Sequence, residues 1–177
     1  LEGIQGLDKN QNKALDYLLG WDGVLGTESQ AASIFEYFQV CFIRNLVEDE
    51  LGWEMYRKFN GTKTLTKNLV KNVWKKTESG WYDNINTPEK EDFKTIVQKS
   101  FKDATDSLKT KIGTNPDEWQ WGKIHTLTLM HPMGKVPILD FVFGLNKGPY
   151  PVGGGYHTVS PYSYSYNKLF DVNHGAS

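Results

Sequence analysis

Trp119-Gln120-Trp121-Gly122-Lys123-Ile124-His125-Thr126-Leu127-Thr128-Leu129-Met130 is the stretch in which the chain changes character. Residues 124–130 are β-branched and alternating, bounded by Gly122 and Pro132, so they predict a strand. Everything before them reads as helix. Everything after is rich in Gly, Pro, Tyr and Ser, with Val142-Phe143 and His157-Thr158-Val159 as further short strands and an alternating Tyr162-Ser163-Tyr164-Ser165-Tyr166. Helices followed by strands predict an α+β chain, with a helical region over 1–118 and a strand and loop region over 119–177. Two or three strands in so loop-rich a tail leave edges and a face that other strands must complete. The two regions are therefore expected to form one incomplete domain.

The helices are punctuated by caps. Asp8 precedes Ala14, Leu15, Leu18 and Leu19, a stripe that stops near Gly20. Thr27-Glu28-Ser29-Gln30 has the capping-box pattern and opens a segment with Ala31, Ile34, Phe35, Phe38, Cys41, Phe42, Ile43 and Leu46, apolar on more than one side. Shorter helices are expected around Trp53–Phe59 and Lys67–Lys75. Thr87-Pro88-Glu89 supplies a cap, a first-position proline and an acidic first turn for a helix burying Phe93, Ile96, Val97, Phe101, Ala104, Leu108 and Ile112, with Gly113 as its stop. Asn115-Pro116 caps one more turn before Trp119.

Composition excludes several functions. With 20 Lys and Arg against 21 Asp and Glu, a net charge of −1 supplies no surplus for binding nucleic acid. The Lys63, Lys67, Lys71, Lys75 and Lys76 stripe reads as a solvated helix face. The one cysteine, Cys41, lies in an apolar run and reads as core. No run of 18 apolar residues offers a membrane span, and Leu1-Glu2-Gly3 shows no signal peptide. Six Trp among 14% aromatic residues imply large flat packing surfaces.

Constellations of reactive types fail on spacing. Asp8 to Asn12 imitates a calcium loop, but Lys13 stands where the turn needs Gly and Leu19 where a bidentate Glu belongs. His125 and His131, with Asp140, His157 or His174, match no common zinc spacing; each histidine is expected to bond a backbone carbonyl or a tyrosine hydroxyl instead. No G-x-S-x-G elbow is present. Gly153-Gly154-Gly155 reads as a tight turn or close backbone approach rather than a phosphate cradle. Asn60-Gly61-Thr62 is a lone glycosylation sequon.

One ordered series goes further. Trp121, Gly122 and His125 belong to W-x-W-G-K-x-H, His131, Pro132 and Gly134 to H-P-x-G, and the three glycines, His157-Thr158-Val159 and Gly175-Ala176-Ser177 follow. Earlier come Leu19-Gly20-Trp21-Asp22-Gly23, Ala31-Ala32-Ser33-Ile34-Phe35, Gly80-Trp81-Tyr82-Asp83-Asn84 and Thr87-Pro88. Across nearly the whole chain this resembles the C-terminal part of the catalytic chain of the penicillin acylase (penicillin amidase) family. Ser160 departs from the Asn that many members carry after Thr-Val. The resemblance implies an N-terminal-nucleophile hydrolase with an αββα sandwich, a bacterial, periplasmic or secreted enzyme released by self-cleavage of a precursor. It implies amide hydrolysis of acylated small molecules such as β-lactam side chains or acylated lactones, with no cofactor. The family's serine nucleophile and oxyanion asparagine lie upstream of the matched region, so no catalytic residue is carried onto this chain. The implied role of Trp121, Gly122, His125, His131, Pro132 and Gly134 is structural, and the implied partners are the remainder of the same enzyme and a small amide substrate. Starting at Leu1 and stopping at Gly-Ala-Ser, the chain is expected to be an inactive piece of that enzyme. The competing expectation is a non-catalytic module that binds a protein or glycan through aromatic side chains.

Overall fold

A computed structural model describes residues 3–74, 76, 78–156 and 158, and the backbone of 162–163, 171–172 and 174–175. The chain is α+β: helices α1 (Lys9–Leu19), α2 (Gln30–Asn60), α3 (Lys63–Val73) and α4 (Phe93–Lys111) precede strand β1 (Thr126–Leu129), helix α5 (Pro137–Phe143) and strands β2 (Lys147–Pro151), β3 (Tyr162–Ser163), β4 (Asp171–Val172) and β5 (His174–Gly175).

The caps explain the helix ends, with two corrections. Asp8 accepts from the Gln11 amide at 2.8 Å while Gln11 reaches back to the Asp8 amide at 3.1 Å, a reciprocal box, and Gly20 closes α1 as expected. Before α2, however, the cap is Ser29, whose Oγ accepts from the Ala32 amide at 3.1 Å. Thr27 stays in the loop before the helix, where its carbonyl takes the Gly122 amide at 2.7 Å. Likewise α4 begins at Asp92, which accepts from both the amide and the hydroxyl of Thr95 at 2.7 Å. The Thr87-Pro88 signal belongs to a loop instead. Thr87 Oγ1 and the Asn84 amide each donate to the Glu91 carboxylate at 2.9 Å, closing the chain on itself one turn too early for a helix.

Helix α2 is the axis of the helical layer. It packs along α4 and also touches α1 and α3, which is why Ile34, Phe42, Ile43 and Leu46 are all buried on a helix with no single apolar face. At about 1.5–3 kcal/mol for each fully buried side chain, this layer carries most of the drive to fold. Polar pins fix its register: Asn45 Nδ2 donates to Ser100 Oγ at 3.1 Å and to Asp103 at 2.9 Å, and Arg44 pairs with Asp103 at 3.3 Å. The helix breaks at Gly52 (φ 68°, ψ 162°), which separates the Trp53–Phe59 turn from the rest. Cys41 is core, its thiol pushed up by burial to about 11. Lys63, Lys67, Lys71 and Lys76 are exposed, as a solvated face requires. Asn60 is buried and donates to the Tyr56 hydroxyl at 3.1 Å, so the asparagine of the sequon is packed inside while Gly61 and Thr62 are exposed.

The sheet is small. Strand β1 is central, antiparallel to β2 (Thr126 opposite Pro151, Leu127 opposite Tyr150) and parallel to β4 (Leu127 opposite Val172). Strand β3 pairs separately with β5. The Val152 amide donates to the His125 carbonyl at 3.1 Å, so by alternation the nitrogen of Pro151 points away from β1. A residue without an N–H suits that outer edge. Val142 and Phe143, expected in a strand, end helix α5 instead. Pro137 in its first turn and the left-handed Gly144 (φ 54°) bracket a single short helix, and these ends prevail over two β-prone side chains. Residues 157 and 159 lie outside the described residues.

Gly52 sits where only glycine is unstrained, with open space around it. Gly52→Ala is expected to destabilise by about 1–3 kcal/mol without any clash, measured by denaturant unfolding of the protein that contains this chain. Beside it, partial desolvation at the surface and then the hydrogen bond and charge of Asp49 push the Glu50 carboxyl up from 4.5 to about 7. A raised carboxyl stabilises below its unfolded value and loses that contribution as pH rises through its folded value. Unfolding midpoints should therefore decline between pH 4.5 and 7, and Glu50→Gln should flatten that slope; a slope unchanged by the substitution would assign it elsewhere.

Candidate functional site

Three segments far apart in sequence meet around Trp121. Its ring is fully buried, and a buried indole needs an acceptor. Nε1 donates to the Gly154 carbonyl at 2.8 Å, while the Trp121 backbone amide donates to Ser29 at 3.1 Å. Its carbonyl takes the His125 amide at 2.8 Å, which folds the chain back so that the His125 ring stacks on the indole at 4.4 Å and 12°. Next to it, Gly122 has no space for a side chain: a Cβ would lie 2.9 Å from Thr27 Cβ and 3.0 Å from Pro151 Cβ.

The triple glycine is the close approach its sequence suggests. The Gly154 amide donates to the Leu25 carbonyl at 2.8 Å, a Cβ on Gly153 would lie 2.9 Å from that same oxygen, and one on Gly155 would overlap the Glu36 carboxylate. Glu36 is itself buried, on the α2 segment 31–38. The ring of Tyr156 follows, buried, with the Lys63 ammonium over its face at 5.0 Å. Burial pushes the Tyr156 hydroxyl above its usual range. Segments 25–29, 121–125 and 152–156 are thus sewn into one joint between the helical layer and the sheet.

His131, Pro132 and Gly134 form a second, separate joint. Strand β1 and Met130 separate them from the first. His131 is exposed, and its Nδ1 accepts from the Met133 amide at 3.2 Å, capping a single turn over Pro132–Lys135. The expected bond to a carbonyl or tyrosine hydroxyl is replaced there by an acceptor role. Asn146, which carries no recognisable sequence signal, is the clamp: the His131 amide donates to its Oδ1 at 2.9 Å, its Nδ2 donates to the Gly134 carbonyl at 3.0 Å, and its own amide donates to Asp140 at 2.7 Å. Gly134 must be glycine because a Cβ would overlap the Asn146 amide.

His125 and His131 do not converge, and among the described residues no three His, Cys, Asp or Glu are placed to hold a metal ion; the side chains of His157 and His174 lie outside those residues. On α4, Ser100, Thr105, Ser107 and Thr110 donate back to carbonyls three or four residues earlier, the ordinary arrangement for helix hydroxyls. Among the described residues no helix is long and apolar enough to cross a membrane.

Comparison with known proteins gives one consistent result. The profile of the family described as penicillin amidase matches residues 1–177. The chain is 29% identical over 174 residues to the acyl-homoserine lactone acylase QuiP of Pseudomonas aeruginosa, covering 90% of this chain and 20% of that protein. It is 26% identical over 186 residues to the protein of the same name from Pseudomonas syringae pv. syringae, covering 97% and 21%, and 27% identical over 188 residues to that of Pseudomonas putida, covering 99% and 22%. The chain therefore spans about a fifth of the length of these relatives.

The first joint predicts graded damage. Trp121→Phe keeps an aromatic ring but removes the donor to the Gly154 carbonyl and leaves a cavity where the rest of the indole was, at a cost of at least about 1–3 kcal/mol. Gly122→Ala forces Thr27 and Pro151 apart and should cost at least as much, as overpacking does. Because both sites share one joint, the double variant should lose less than the sum; strict additivity in a denaturation cycle would show that the contacts are independent.

Proposed function

The chain belongs to the penicillin amidase family, and on that premise we propose that it is a scaffold portion of a larger N-acyl amidohydrolase, carrying none of the reacting groups. The observation behind this reading is the fate of the motif residues. Trp121, Gly122, Gly134 and the triple glycine are occupied in close backbone approaches, and His125 lies flat on an indole. Such residues set where β1 and its neighbours stand; they do not attack, protonate or polarise a substrate.

In the whole enzyme the chemistry falls to an N-terminal serine, as the family resemblance implies. Its hydroxyl oxygen adds to the amide carbonyl, and its own α-amine takes the hydroxyl proton and passes it to the departing amine. Water then hydrolyses the acyl-enzyme to release the acid and regenerate the serine. Amide donors stabilise the oxyanion at both stages. The relatives are named for acyl-homoserine lactones, and we assign the same substrate class here: a fatty-acyl amide of a small polar amine. The opposing idea, an aromatic recognition module, keeps the exposed Trp53, Trp74 and Trp81 but loses Trp119 and Trp121, which are spent on the core.

The full-length protein is expected to release free homoserine lactone from an N-acyl homoserine lactone, with its larger chain beginning at Ser by N-terminal sequencing. Residues 1–177 alone are expected to release none. Hydrolysis by the isolated chain, at a rate proportional to its concentration, would refute the scaffold assignment. An unprocessed, inactive full-length protein would refute the enzyme assignment.

A further inference from the structure

We propose that helix α5, with Met133 on the turn before it, is the seat of a segment of the same protein lying outside these 177 residues. The proposal rests on the reading of the chain as part of a larger enzyme and adds the surface by which it is joined. Helix α5 buries none of its residues. Ile138, Phe141 and Val142, at i, i+3 and i+4, share a face and are 68%, 91% and 62% exposed; Phe143 is 67% and Met133 56% exposed. Large apolar side chains grouped in this way mark an interaction surface rather than the scattered exposure of any protein.

The helix is nonetheless held in place. Among the described residues it packs mainly on the Pro132–Lys135 turn, yet Asn146 ties that turn to Asp140 through three hydrogen bonds, and Gly144 stops the helix in a left-handed cap. Polar groups fix the orientation while the apolar groups face outward. This is a preorganised anchor, which loses little freedom when covered.

The occupant follows from length. The relatives carry about four-fifths of their chain beyond the portion matched here. A segment of the same protein is presented at an effective concentration far above any free partner, whereas a second copy must find the face from dilute solution.

The test uses the full-length protein with Phe141 replaced by p-benzoylphenylalanine. Irradiation should join position 141 to a peptide of the same molecule outside residues 1–177, in a yield independent of protein concentration. A cross-link between two copies, rising with concentration, or one confined to residues 1–177, would overturn the proposal. A second variant guards against misfolding: Phe141→Cys in the full-length protein should react with a maleimide at least tenfold more slowly than Lys90→Cys on the exposed loop before α4, and equal rates would overturn it. Lactone hydrolysis is assayed in parallel. An inactive protein with the intramolecular cross-link would sink the enzyme reading while leaving the seat intact.

Discussion

The hydrogen bond from the Trp121 indole to the Gly154 carbonyl ties the entry to β1 to the turn after β2, and the Leu25–Ser29 loop ties both to the helical layer. The bond is partly buried, where a partner left unmatched is costly, and it spans 33 residues of sequence. Around it the backbone amides of Trp121, Gly122 and Gly154 are each satisfied by a carbonyl in the Leu25–Ser29 loop, between α1 and α2. That loop cannot move without stripping three buried donors. The start of the long axial helix, the entry to β1 and the glycine turn after β2 are consequently fixed together.

This constraint explains why the motif is made of tryptophan and glycine. A large ring fills the space between layers and supplies one donor, while the glycines let backbones approach within contact distance on either side. The second joint uses the same division of labour on a smaller scale. His131 and Asn146 supply the polar bonds, and Gly134 supplies the room. Both joints flank β1, so its position is determined at each end although the strand itself has four residues.

How much of this the sequence discloses depends on the range over which each feature is decided. The cap of α1 is readable because Asp8 and Gln11 satisfy each other within one turn. The cap of α4 is misread because Thr87-Pro88 obeys every local rule, and only the fold reveals that Glu91 closes the loop first. Strand β1 is legible from its alternation. Helix α5 is not, since Val142 and Phe143 favour strands and nothing local announces that Gly144 will turn left-handed. At the joints, Trp121, Gly122 and the triple glycine stand out as a motif, but their partners do not: Thr27 and Leu25 are ordinary loop residues, and Asn146 is one Asn among several. The only available hint was that an H-P-M-G turn leaves backbone donors and acceptors that some polar side chain must satisfy.

A polar clamp supporting an apolar surface is a combination with a direction. Hydrogen bonds made through Asn146 keep α5 in one pose whether or not anything covers it, so the exposed face is not a helix waiting to fold. Left in water, that face costs the chain stability and solubility. A cost of this kind persists when it is recovered elsewhere, and the axial helix α2, already packed by α1, α3 and α4, offers it no place. With α5 assigned as a seat, that recovery comes from a segment of the same protein outside these 177 residues.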